Sequence, residues 1–99
     1  MIDKKDIKKM IAGHSTEFTL HHMYQELGEL IVAVSDLEIS LAEFNFDQQY
    51  KEALIEEMGD VVIMLEIMKE VYNVSDDRLE SEVKNKIKKN LRRVENGKK

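Results

Sequence analysis

The 99-residue chain contains no cysteine, no proline and no tryptophan, and only four glycines. Without cysteine there are no disulfides, no thiolate metal sites and no thiol nucleophile. With proline missing and glycine scarce, the usual helix breakers are nearly absent, while Leu, Ile, Met, Glu and Lys abound, so the composition predicts an all-α chain. No apolar run reaches the roughly 20 residues of a membrane span. The charged N-terminus lacks the apolar segment of a signal peptide, and a cytoplasmic protein is expected. Residues 1–99 suit one domain, with 96–99 fraying. As a monomer, so small a domain would bury only about 60–70% of its unfolded surface, which favours association of subunits.

The net charge of −5 is unevenly spread. Residues 11–82 carry 17 acidic and 3 basic side chains, whereas residues 83–99 carry 8 basic and 1 acidic. An acidic body repels a long polyanion, so nucleic-acid binding is disfavoured. The cationic arm is left to contact phosphate groups or to neutralise the acidic helices.

Hydrophobic spacing and helix punctuation divide the chain into four helices. A short one is expected over residues 3–12, with Ile7, Met10 and Ile11 on one side and Gly13 ending it. Ser15 or Thr16 caps a second helix that runs to about Glu43. Phe44-Asn45-Phe46-Asp47 reads as a turn with Asp47 capping a third helix, which continues to about Tyr72. After a break at 73–77, Asp77 and Glu80 have the spacing of a capping box for a fourth helix ending near Glu95. Its apolar stripe is Leu79, Val83, Ile87, Leu91 and Val94. Short connections make the long helices antiparallel neighbours. The third helix is apolar from Ile55 and Val62 on one flank to Ile67 on the other, wider than a lone small bundle needs. The expected fold is therefore an all-α antiparallel bundle of about four helices, completed by homo-oligomerisation.

Acidic residues interrupt the apolar faces of the two longest helices. On the third, an arc centred on Val61 contains Tyr50, Leu54, Met58, Met64, Leu65 and Met68, with Glu57 projecting inside it and Asp60 at its margin. On the second, Leu20, Met23, Leu27, Leu30, Ile31, Val34, Leu37 and Leu41 form a stripe, with Glu26 beside it and Glu29 further round. Burying ionised carboxylates without partners costs several kcal/mol each, and clustering adds repulsion, so a compensating cation is expected. Oxygen-only ligands favour a hard divalent ion, Mg²⁺ with Mn²⁺ as a substitute. Antiparallel packing can bring Glu26 and Glu29 opposite Glu57 and Asp60, so that all four share one cavity.

These residues carry a resemblance. Glu26-Leu-Gly-Glu29, followed by Glu56-Glu57-Met-Gly-Asp60 and Val-Val-Ile-Met-Leu, resembles the MazG-like all-α nucleoside triphosphate pyrophosphohydrolases, whose pattern is Glu-Glu-x-x-Glu, a spacer, then Glu-Glu-x-x-Asp. The likeness runs from about His22 through Arg93 and includes Lys86-Ile-Lys-Lys-Asn90-Leu-Arg-Arg93. One position departs, Gln25 standing where the pattern has its first Glu. The resemblance implies Mg²⁺-dependent hydrolysis between the α and β phosphates, giving a nucleoside monophosphate and pyrophosphate, and a dimer or tetramer. It also implies that Glu26, Glu29, Glu57 and Asp60 are metal ligands and that Lys86, Asn90 and Arg93 hold the triphosphate tail. Of the carboxylates, Glu26 or Glu29 is the expected acceptor of the water proton.

Bland readings stand beside these. Glu26 and Glu29 alone would pass for solvated acids, and Lys86, Asn90 and Arg93 for a solvated basic face. His22, one turn before Glu26, would pair with it, touch a base or simply be a surface histidine. Phe18, Tyr24, Phe44, Phe46 and Tyr50 are candidates for base stacking or for packing. Two other functions compete: a phosphoribosyl-ATP pyrophosphohydrolase-like enzyme, and a non-catalytic helical bundle that binds a nucleotide or a protein. A di-iron carboxylate bundle is disfavoured because no Glu-x-x-His pair occurs.

Overall fold

Short polar side chains start the helices. Asp3 Oδ1 accepts from the Lys5 N–H at 2.9 Å, Ser15 Oγ from Phe18 at 3.0 Å and Ser75 Oγ from Arg78 at 3.1 Å. Each cap has extended backbone, so it ends the incoming loop while satisfying an orphan donor of the first turn. The computed structural model describes residues 2–43 and 48–97, and within them the chain forms α1 (Lys4–Ile11), α2 (Thr16–Ala42), α3 (Gln48–Val71) and α4 (Asp76–Glu95), with no strand.

The expected capping box at Asp77 and Glu80 is not what opens α4. Ser75 caps it, Asp77 already lies in the first turn, and Glu80 faces Lys84 instead at 3.3 Å. The cap falls earlier because α3 ends in a tight motif that hands the chain straight to Ser75. Asn73 adopts a left-handed φ of 53°, the Val74 N–H reaches back to the Lys69 carbonyl at 2.9 Å, and the Asn73 N–H reaches that of Glu70 at 3.4 Å. Lys69 then bridges Glu66, at 3.0 Å, and Asp76, tying α3 to the start of α4. The proposed Asp47 cap, with Phe44 and Phe46, lies outside the described residues.

α2 and α3 form an antiparallel pair, with Thr19 near Ile67 at one end and Ser40 near Tyr50 at the other. The buried and half-buried residues of α2 include Thr19, Met23, Glu26, Leu30, Ala33, Leu37 and Ser40; those of α3 include Tyr50, Leu54, Glu57, Val61, Met64, Met68 and Val71. Both sets alternate steps of four and three, the heptad spacing of a coiled-coil seam. Two expectations are corrected here. Ile31, 69% exposed, and Val34 and Leu41 lie off the α2 seam, as do Met58 and Leu65 off that of α3. The packed face selects small and polar Thr19, Ala33 and Ser40 because close approach of two backbones leaves little room at those positions.

α1 packs on the C-terminal half of α3, where Ile7, Met64 and Ile67 form the core with Ile2, Ile11, Met23, Ile63 and Val71 around it. α4 packs along none of the other helices, and Leu79, Val83, Ile87, Leu91 and Val94 are all exposed. The radius of gyration, 16.9 Å, exceeds the roughly 13 Å of a compact domain this long. No helix among the described residues is long and apolar enough to cross a membrane.

Candidate metal centre

Glu26 and Glu57 are seam residues. Each takes a position that the heptad otherwise gives to an apolar or small side chain, on opposite helices of the pair. Glu29 and Asp60 follow three residues later, one turn on, and are exposed at the seam's edge. One carboxylate oxygen from each of the four lies within 4.8 Å of the other three. The antiparallel α2–α3 pairing thus gathers the four expected acids into one cluster.

Two of these acids are held in a costly state. Glu26 Oε2 and Glu57 Oε2 are buried and have no hydrogen-bond partner. Burial pushes the Glu26 carboxyl above its usual range, the charges of Glu29 and Asp60 push it further, and a bond to His22 pulls the other way. Glu57 is raised by burial first and then by Glu29 and Asp60. A proton shared with Glu29 raises both carboxyls again, but with the acids ionised both Oε2 atoms lack a donor, and a hard divalent ion would satisfy and neutralise them. Donor chemistry fits Mg²⁺ or Mn²⁺: four carboxylates, no sulfur and no imidazole nitrogen among the converging atoms.

Around the cluster, His22 Nε2 lies 3.0 Å from Glu26 Oε1. Two cavities meet the acids, one of about 260 Å³ reaching Glu26 and Asp60, the other of about 550 Å³ reaching Glu29 and Glu57. Gln25 lines the second, beside Glu29. In that neighbourhood a neutral amide adds no further negative charge.

Lys86, Asn90 and Arg93 are not brought to the acids within one chain. All three are exposed on α4, neither cavity includes them, and Lys86 lies 3.9 Å from Glu82 of its own helix. Of the aromatic candidates, Tyr24 points to solvent, Tyr50 sits in the seam, and Phe18 stacks on His14. Sequence reasoning gave His14 no role, although its spacing of four from Phe18 is the signal that two rings on one helical face can meet. It also overlooked Lys69, whose place three residues after Glu66 is visible in the chain.

In comparisons with known proteins, no family model, no curated protein and no solved structure matches the chain.

Proposed function

We propose that this chain is a Mg²⁺-dependent pyrophosphohydrolase of nucleoside or deoxynucleoside triphosphates, cleaving between the α and β phosphates. The observation that carries the reading is the pair of buried carboxylate oxygens without partners, one on each helix, inside a cluster of four acids. Glu26, Glu29, Glu57 and Asp60 would hold the ion, which when bound supplies charge neutralisation for the phosphates and acidifies water. Such a cluster repels a triphosphate by itself, so substrate and metal must bind together.

The chain's own groups have distinct tasks. The carboxylate oxygen of Glu26 or Glu29 that the ion leaves free accepts the proton of the attacking water, whose oxygen bonds to the α phosphorus as the bridging oxygen departs with pyrophosphate. His22 fixes the orientation of Glu26 through the 3.0 Å contact. Lys86, Asn90 and Arg93 are the proposed holders of the phosphate tail, Arg93 through paired N–H donors and Lys86 as a point charge.

Those cations reach the acids through a second copy of the chain. α4 is basic, its apolar stripe is uncovered, and the α2–α3 body is acidic with exposed apolar residues such as Ile31, Val32 and Ile55. Charge and apolar surface are complementary between the arm of one copy and the body of another, which supports a homo-oligomer, a dimer or tetramer, with shared sites.

The experiment is incubation with each common and modified triphosphate plus Mg²⁺, followed by product analysis. Monophosphate with pyrophosphate is expected; release of orthophosphate would put the cleavage at a different bond. Glu57→Gln should abolish turnover and leave the helical circular-dichroism signal nearly unchanged, and normal activity in that variant would remove Glu57 from the mechanism.

A further inference from the structure

The smaller cavity beside the acids, about 260 Å³, lies between α1, the turn after it, α2 and α3 and opens to solvent beside Phe18, which is 51% exposed. Ile11, Ile63, Met64 and Ile67 make its walls apolar, and the buried Thr19 has its hydroxyl proton committed to the Ser15 carbonyl at 3.2 Å. Along α2 the cavity is lined every fourth residue, by His14 just before the helix and then by Phe18, His22 and Glu26. The first two rings are stacked, with centroids 4.4 Å apart and planes 12° from parallel, and the Phe18 and His22 centroids lie 6.2 Å apart at a tilt of 55°. One face of the helix thus carries a row of rings that ends at a member of the acidic cluster. A charged ligand group would lose its hydration against these apolar walls, whereas a flat uncharged ring would extend the stack.

We infer that this cavity receives the base of the nucleotide, with Phe18 and His14 as the stacking platform. The assignment rests on the proposed hydrolase for the phosphates, which would project from the same cavity toward Glu26 and Asp60. The larger cavity is the poorer home for a base: it offers no ring and presents Asp36 together with Glu29 and Glu57. Phe18 and His14 act here as base-binding contacts, separate from the groups that hold metal or move a proton.

Two measurements test the inference apart from the hydrolase reading. In the first, phosphate-free nucleosides, one for each common base, are titrated into the metal-free chain and backbone amide shifts are followed by NMR. Saturating shifts grouped at Phe18, Thr19, His22 and Met64 are expected for at least one base; no shifts, or shifts grouped at Val32, Ala33 and Ala53, would overturn the assignment. In the second, Phe18→Ala and, separately, His14→Ala are assayed with the best triphosphate substrate, each with a melting curve to check the fold. KM should rise about tenfold, the order expected for loss of one stacked base, while kcat and the inhibition constant of inorganic tripolyphosphate stay within about twofold. Unchanged KM in both variants, or equal weakening of tripolyphosphate, would overturn the base pocket while leaving the hydrolase standing. If no triphosphate is turned over at all, the hydrolase reading fails and the nucleoside titration alone decides the pocket.

Discussion

His22 Nε2 lies 3.0 Å from Oε1 of Glu26, one helical turn away, while Oε2 of the same carboxylate is buried without a partner. One oxygen is anchored and the other is left for something outside the chain's own hydrogen bonds. In the proposed metal site, His22 would fix the direction of Glu26 as outer partners do for metal ligands. His22→Ala should therefore keep the helices intact and weaken Mg²⁺ binding, raising the Mg²⁺ concentration for half-maximal activity about tenfold. Titration of activity against Mg²⁺ measures it.

Acid–base behaviour of the metal-free protein carries the cost of the cluster. Glu26 and Glu57 are both raised above their ordinary 4.5. Above that value the folded chain holds protons that the unfolded chain has released, so stability is greatest at low pH within this window and falls as pH rises through the shifted values. Asp76 has the opposite sign, being lowered by its bond and charge interaction with Lys69. Its contribution is present above the ordinary 3.8 and fades only below that, outside the window of the glutamates. Urea midpoints without metal should thus be lower at pH of about 7.5 than at about 5, and Glu57→Gln should shrink the difference. Mg²⁺ should raise the neutral midpoint far more than the acidic one, because binding must displace the retained protons.

Subunit mixing tests the proposal that α4 of one copy serves the acids of another. Glu57→Gln and Arg93→Ala proteins should each be nearly inactive as pure samples. Co-refolded together, they should regain part of the activity, since one subunit's intact acids meet the other's intact arginine. Sedimentation should show an assembly larger than 11.6 kDa, and Ile87→Lys on the exposed α4 stripe should shift it toward the single chain. Absence of recovery would overturn the site shared between copies.

Backbone geometry gives a prediction independent of chemistry. Gly28 and Gly59 lie inside α2 and α3, and a methyl group added at either meets no atom within 4 Å. Gly28→Ala and Gly59→Ala should each stabilise the protein by about 0.5–1 kcal/mol, through the reduced freedom of the unfolded chain and better helix propensity. Asn73, with its φ of 53°, should accept Gly with little loss, whereas Asn73→Val should lower the melting temperature. Thermal scans check all four. A fall in stability for either alanine variant would reveal close approach of another chain at that glycine.

Much of this was legible in the chain itself. Missing helix breakers, the Ser15 cap and the Gly13 stop read directly into helices, because those signals are local. The union of Glu26, Glu29, Glu57 and Asp60 was legible too, since antiparallel neighbours and the spacing of three leave few other ways to bury Glu57. Choosing between Ser75 and Asp77 was harder, as both are good caps and the turn at Asn73 decides. The packed face of α2 was misjudged for a different reason: large Ile31 and Val34 drew attention to a broad stripe, while the seam follows small Ala33 and Ser40 at heptad spacing. Ile31 and the α4 stripe stay exposed because apolar periodicity marks a face that can pack without saying which element covers it.

Opposed glutamates in an otherwise apolar seam also restrict sliding. Moving α2 by one heptad along α3 would carry Glu26 away from Glu57 and set it against Met64 or Tyr50, an acid facing a side chain that gives it nothing in return. Only one alignment collects all the anionic oxygens where a single cation can satisfy them. A divalent ion bound there would act as a splint for the hairpin as well as a reagent, and stripping it should loosen the choice of register before it unwinds either helix.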